Sequence, residues 1–298
     1  MESWSLLIGE AVHDVTLTPS GVRTAQPGGS AANQAVGLAR LGHRVLLGTC
    51  WGDDEAGRLL AAHVAASGVE LACDPVTLDR TASALVRLNH DGHPSYELDV
   101  AWRLAPLELP ASAPVVVGTG SYAAVLDEGP VLECLARWRG QALTFYDVNV
   151  RTMVTGTGEQ VRRRTRELLA NADLVKVSDE DLDLLWPGES HEALIGDWLA
   201  GGVRAVLLSR GGAGLTWIGA SSRLDVTAPS VDVVDTVGAG DSLSSAVLHG
   251  LIAAGCRTGE HLAALDESAL TDVLSLATRA AGITVSRSGA NPPWLHEL

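Results

Sequence analysis

Lysine is almost missing from this sequence: Lys176 is the only one, against 20 arginines. The signature GxxxxGK[ST], which cradles phosphates in a glycine-rich loop and reaches them with its lysine, is therefore excluded. Any phosphate charge has to be met by backbone amides, arginine and a metal ion. The four cysteines, Cys50, Cys73, Cys134 and Cys256, are widely spaced and form no CxxC or Cys/His zinc pattern. They read as buried free thiols in a reducing compartment. No apolar run reaches the length of a membrane span, and the first residues lack a basic segment followed by an apolar one, so the expected location is cytoplasmic. Positive charge is also short, and the formal net charge of −15 argues against nucleic acid and anionic membrane surfaces as partners. There is no internal repeat, low-complexity tract or flexible linker, which makes residues 1–298 one expected unit.

What is present concentrates in two glycine-rich segments. Asp235 to Ser242 reads DTVGAGDS and runs into an almost wholly apolar stretch from Leu243 to Ile252, the pattern of a buried helix whose first turn carries Gly238, Ala239, Gly240 and Asp241. The first N–H groups of a helix have no internal partner and the macrodipole adds positive charge there, so small residues at this turn make a site for an anion. Asp241 could accept a proton from an alcohol while the amides hold a transferring phosphoryl group. A tight entry into a core helix is the competing reading of the tetrapeptide alone.

Gly28 to Gly42 reads GGSAANQAVGLARLG, two glycines followed by a helical apolar pattern that ends in glycine. Asn33 falls in its first turn, where an amide side chain offers donors and an acceptor to a polyhydroxylated ligand, or caps the helix.

Strand-like runs at Ser5 to Ile8, Val45 to Thr49, Val115 to Gly118, Ala142 to Asp147, Leu174 to Val177 and Ala205 to Leu208 alternate with helical segments. The fold class this predicts is α/β, a doubly wound, mainly parallel sheet covered by helices on both faces, with ligands at the carboxyl ends of its strands. Glu10 to Pro27 has no helical periodicity. Ser83 to Leu104 alternates around an Asp-Gly turn as an exposed hairpin would.

With both glycine-rich segments in this order, the chain resembles the ribokinase-like, or phosphofructokinase-B type, carbohydrate kinases, and within them the bacterial fructokinases. LLIGEAVHDV, TFYDVNVR, ADLVKVSDEDL, LLSRGGAGL and SRSGANPP support the resemblance along nearly the whole length. It implies a small discontinuous β lid over the sugar, from about 10–27 and 83–104, through which two copies pair as a homodimer. It implies a sugar site of Asp14, Gly28, Gly29 and Asn33, with Arg151 as a charge clamp beside the transferred phosphate. Arg87 and Tyr96 in the lid would face either the sugar or a partner copy. Asp241 is the implied base, with Gly238, Ala239 and Gly240 forming the anion hole. On the nucleotide side stand Lys176, Ser209, Gly211, Gly214 and Asn291. Magnesium is implied with ATP, and Asp181 would meet it through water, although Ser178 and Asp181 replace the Asn and Glu of the usual NxxE sequence. Asp235, Val237 and Gly289 match part of a potassium site, while Pro293 stands where some relatives offer a serine.

The expected reaction is transfer of the γ-phosphoryl group of ATP to a sugar hydroxyl, with fructose favoured by the opening GE, YDVNVR and SRSGANPP. Ribose, 2-keto-3-deoxygluconate and nucleosides are the alternatives. With Phe145 the only phenylalanine beside three tyrosines, an aromatic slot for a nucleoside base is less favoured. A reading of another class is a sugar-binding regulatory protein without catalysis, against which the retained Asp241 argues. An NAD-linked enzyme would need a dinucleotide fingerprint after the first strand, and that is absent.

Overall fold

The strand Trp4–Ile8 is buried along its whole length, and its side chains divide between two cores. Leu7 enters one apolar cluster with Leu47, Phe145 and Trp217. Trp4, Leu6 and Ile8 enter another with Val117, Tyr146 and Val175. A strand apolar on both faces has to be covered on both sides, which is why a continuous apolar run rather than an alternating one marks it in the sequence. The computed structural model describes residues 3–18, 20–88, 94–127 and 129–298.

Nine strands form the main sheet. From one edge to the other they are Arg223–Val226, Leu215–Gly219, Ala205–Ser209, Leu174–Ser178, Leu143–Asp147, Val116–Gly120, Trp4–Ile8, Arg44–Gly48 and Glu70–Leu71. All pairings are parallel except the two at the Arg223–Val226 edge, which are antiparallel. The six expected strands are all present, displaced by no more than a residue or two at each end. Chain order reverses between Trp4–Ile8 and its neighbour Val116–Gly120, and that reversal opens a crevice at the carboxyl ends of the two strands.

The two glycine-rich segments become the helices Ser30–Arg40 and Ala239–Ala253, packed together on the Leu7 face of the sheet. Gly37 allows their close approach, because a Cβ there would lie 2.3 Å from Ser245 Oγ. Ala32, Ala35 and Val36 meet Ala246 and Val247 in the same core. Packed this way, both helices present their N-termini to the crevice.

A second sheet of four strands, in the order Arg23–Gly28, Val12–Leu17, Ser83–Leu88 and Pro94–Asp99, stands apart from the first. It is built from both segments that broke the alternation in the sequence. Its central pairing, Val12–Leu17 with Ser83–Leu88, is parallel, and its outer pairings are antiparallel. The expected hairpin over 83–104 is present as Ser83–Leu88 with Pro94–Asp99, and the Asp91-Gly92 turn lies outside the described residues. Beyond Asp99 the chain leaves the sheet, so the hairpin is shorter than expected. No helix among the described residues is long and apolar enough to cross a membrane. All four cysteines are buried and free.

Candidate active site

The helix Ala239–Ala253 starts from Gly238, whose φ of 75° places it in the left-handed region. A Cβ at this position would also lie 2.6 Å from Ala290 Cβ, so both conformation and space call for glycine. Asp241 follows in the first turn and is 8% exposed. It is not left alone there. Ser30 Oγ donates to its Oδ1 at 2.6 Å and Asn33 Nδ2 to its Oδ2 at 2.8 Å. Both donors come from the first turn of the other glycine-rich helix, so Asn33 positions the acid as well as facing the cavity.

A cavity of 340 Å³ opens above this pair, lined on its floor by Gly29, Ser30, Asn33, Gly238, Gly240 and Asp241. Asp14, Tyr122 and Arg151 stand around it, and Ala84, Leu98 and Val100 close it from the second sheet and the chain beyond it. Gly28 serves Asp14 directly, since a Cβ there would fall 2.0 Å from Asp14 Oδ2. Burial pushes the Asp14 carboxyl up to about 6, with Asp241 adding to the rise and Arg151 opposing it. A carboxylate in that condition gains from donors that a ligand brings.

Several residues of the site were not singled out in the sequence. Glu10 is buried directly after the first strand, and its two oxygens accept the N–H groups of Ser30 and Ala123 at 3.3 and 3.4 Å. Burial raises its pKa. Tyr122 lines the cavity, and its buried hydroxyl has no partner among the described residues. Asn149 Nδ2 donates to Ser30 Oγ at 2.9 Å. Behind Asp241, Asp147 is fully buried and accepts from Lys176, Gln34 and Ser244. Gln34 and Asn149 each sat inside quoted motifs, but only their partners across the chain reveal what they do.

Other expected residues are placed differently. Arg87 leaves the second sheet on the face opposite Ala84 and Val86, which line cavities, and pairs with Glu97 at 2.8 Å. The structure therefore corrects the expectation that it faces the sugar. Strand alternation is the reason: Arg87 is odd in register with those even-numbered lining residues. Tyr96 pairs in register with Val86, and its side chain lies outside the described residues. Asp181 caps the helix Asp179–Leu185 together with Ser178, and its two oxygens accept the N–H groups of Ser178 and Val150 at 3.0 and 2.8 Å. Asp181 therefore has a structural role in the cap, and the remaining lone pairs of its carboxylate are still available to a metal's water. No group of three or more acidic, His or Cys side chains suited to a metal occurs among the described residues.

Asp235, Val237 and Gly289 do come together, because the Asp235 carboxylate accepts the N–H groups of Val237 at 3.0 Å and Gly289 at 2.8 Å. Ser209 ends the strand Ala205–Ser209, with Gly211 and Gly214 in the turn beyond it, at the same carboxyl edge as Lys176. Asn291 Oδ1 accepts from Arg40 at 2.7 Å, tying the tail to the far end of the first glycine-rich helix.

A second cavity of 690 Å³ adjoins the first and shares Asp14, Ala84, Leu98, Arg151, Val154 and Val237 with it. A glycine-rich helix start, a carboxylate held by two donors and a polar cavity above them are parts that a phosphoryl transfer to an alcohol can use.

The description "pfkB family carbohydrate kinase" matches residues 7–297. The chain is 30% identical over 277 residues to a fructokinase of Rhizobium leguminosarum bv. trifolii, covering 89% of this chain and 85% of that one. It is 30% identical over 294 residues to an aminoimidazole riboside kinase of Salmonella typhimurium, covering 95% and 89% respectively. In fold it resembles the crystal structure of Xylella fastidiosa fructokinase with bound ATP, with a TM-score of 0.83, 24% identity and coverage of 97% and 94%.

Proposed function

Because the chain belongs to the pfkB family of carbohydrate kinases, we propose that it moves the γ-phosphoryl group of ATP to a sugar hydroxyl, with fructose giving fructose 6-phosphate as the favoured reaction. The observation that carries this reading is Asp241, held by Ser30 and Asn33 on the cavity floor beside the open N-terminus of its own helix. In that position it takes the proton of the attacking hydroxyl, and the N–H groups of Gly238 to Asp241 stabilise the charge that develops on the phosphoryl oxygens. Asp14 and the unpartnered Tyr122 hydroxyl orient the sugar, and Arg151 at the rim holds the incoming phosphate. Magnesium, bound to the nucleotide's phosphates, would neutralise charge as the bond to the leaving oxygen loosens. The Asp235 tie between the GAGD loop and the tail is where potassium would act on this protein.

The four-stranded sheet is the lid in this reading, and its movement toward Arg151 and Val154 would exclude water as a competing acceptor. Pairing of two copies through the lid is part of the same proposal and is read directly by the mass in solution. A second reading, phosphorylation of a riboside, is favoured by one observation: the adjoining cavity is lined by Val15, Val86, Leu98, Val150 and Met153, a surface suited to an apolar or aromatic appendage on the sugar.

The test is ADP release from Mg-ATP with fructose, ribose, 2-keto-3-deoxygluconate, adenosine and aminoimidazole riboside, with and without potassium. Release with fructose, abolished in Asp241→Asn, supports the main reading. Release with the riboside alone replaces it with the second. Binding of a sugar without release from any would overturn both in favour of a non-catalytic binder.

A further inference from the structure

One row of residues crosses the four-stranded sheet in register: Gln26 is paired with Asp14, Asp14 with Ala84, and Ala84 with Leu98. Residues opposite one another in a ladder point to the same face, and all four line the 690 Å³ cavity. Asp14, Ala84 and Leu98 also line the 340 Å³ cavity that Asp241 borders. Gln26, at the end of the row, is directed to the tail instead. It is half-buried, and its Nε2 donates to Ser288 Oγ across a long 3.5 Å. The tighter contact is with the next residue, since a Cβ at Gly289 would fall 2.9 Å from Gln26 Cδ and nearer still to its Oε1. Gly289 also has a φ of 69°, so both its conformation and the seat of the Gln26 amide call for glycine.

On their other side the same tail residues hold the entry to the helix Ala239–Ala253. The N–H of Gly289 donates to Asp235 Oδ2 at 2.8 Å, and Asp235 Oδ1 accepts the N–H of Val237 at 3.0 Å. The N–H groups of Val234 and Asp235 both donate to the Val285 carbonyl, at 2.8 and 3.1 Å. Ala290 fills the space beside Gly238, where a Cβ would lie 2.6 Å from its own. Residues 288–290 therefore bridge the sheet and the Val237–Gly238 turn, and contacts this close transmit a displacement rather than absorb it.

We propose that Gln26 is a positioning residue that couples the sugar-facing row of the sheet to the loop that receives the phosphoryl group. This rests on the kinase reading above and deepens it. Sugar hydroxyls bound to Asp14 fix the row to which it belongs, and Gln26, paired with Asp14, carries that position to Gly289. Gly289, through Asp235, then sets the N–H groups of Val237 and Gly238 at the cavity floor. The loop is in place for transfer when a sugar lies under the sheet and is less well placed when water does. The role needs a side chain long enough to reach the tail. It also needs one without charge, because a carboxylate here would share the cavity with Asp14 and Asp235.

The test reads the coupling between the two ligands. Calorimetry gives the affinity of the β,γ-imido analogue of ATP, with magnesium, in the absence of sugar and at saturating fructose, or at saturating riboside where that is the sugar turned over. The sugar is expected to tighten the analogue about tenfold in the wild type and about twofold or less in Gln26→Ala. Each ligand alone should bind the variant within about twofold of wild type, and kcat should fall about tenfold. A glutamine that merely supported the fold would lower the melting temperature and weaken each ligand alone, leaving the coupling ratio unchanged. Should Gln26→Ala not fold, Gln26→Asn, which keeps an amide but falls short of Gly289, is expected to lose the coupling in its place. The wild-type ratio in either variant, or independent binding of the two ligands in the wild type, overturns the proposal. Wild-type ADP release alongside an unchanged ratio defeats the assignment of Gln26 alone, whereas a wild type that phosphorylates no sugar defeats the kinase reading and this proposal with it.

Discussion

Ser30 Oγ lies 2.6 Å from Asp241 Oδ1, a hydrogen bond between residues 211 positions apart that locks the first turns of two helices to each other. The same hydroxyl accepts from Asn149 Nδ2 at 2.9 Å and from Gln34 Nε2 at 3.2 Å. Ser30 is therefore the node at which both glycine-rich segments and the loop after Leu143–Asp147 meet. Replacement by alanine should cost the base one short hydrogen bond, lowering kcat by roughly fivefold to tenfold with the KM for ATP little changed. Steady-state kinetics on Ser30→Ala checks this, and an effect confined to the KM for ATP would contradict it.

Asp241→Asn keeps the size and most hydrogen-bonding capacity of the base but removes its ability to take a proton. Turnover should fall by about 10²–10⁴, and sugar affinity should stay within a small factor of wild type. Calorimetric sugar binding paired with ADP release separates the two effects.

Asp14 carries a pH dependence of defined sign. Its carboxyl titrates near 6 in the fold, above its ordinary value of 3.8, because burial disfavours the charge. A sugar hydroxyl donates to the ionised form, so the KM for sugar should rise as pH falls through about 6 and level off above 7. In the absence of sugar the raised value means that stability contributed by this group is complete below 3.8 and is lost as pH rises through about 6. Asp14→Asn should flatten both profiles, as measured by KM and by melting temperature from about pH 3 to about pH 8, a range that brackets both titrations.

Tyr122 lines the cavity, and its buried hydroxyl has no hydrogen-bond partner among the described residues. In Tyr122→Phe the fold has nothing to lose at this position, while a bound sugar loses one hydrogen bond. Sugar affinity should drop by roughly fivefold and melting temperature without sugar should hold or rise. A drop in stability with unchanged affinity would show that the hydroxyl has a structural partner instead.

Gly37 is far from the chemistry, yet its missing Cβ sets how closely the two site helices pack, since that atom would meet Ser245 Oγ at 2.3 Å. Gly37→Ala should overpack the contact, destabilise the protein by about 1–3 kcal/mol and loosen the Ser30–Asp241 bond. A loss of kcat accompanying the fall in melting temperature is the expected pattern.

The sequence by itself determined the sheet class, because strands apolar on both faces have to be covered on both sides, and six such runs separated by helical segments permit little else. It also pointed to Asp241 as the candidate base and to the helix start around it as the candidate anion site, since a short polar motif entering an apolar helix carries its chemistry locally. Tertiary structure alone decided which residues serve those parts. Arg87, equally suited by sequence to sugar or partner, was turned away by strand parity and paired with Glu97. Asp181 was drawn into capping its own helix and clamping Val150. Lys176, placed on the nucleotide side only by resemblance, was brought against Gly240 by the packing of one strand end against one helix start. Local sequence sets what a residue can do, whereas distance, register and burial are properties of contacts between segments remote in the chain, and those decided what each residue does here.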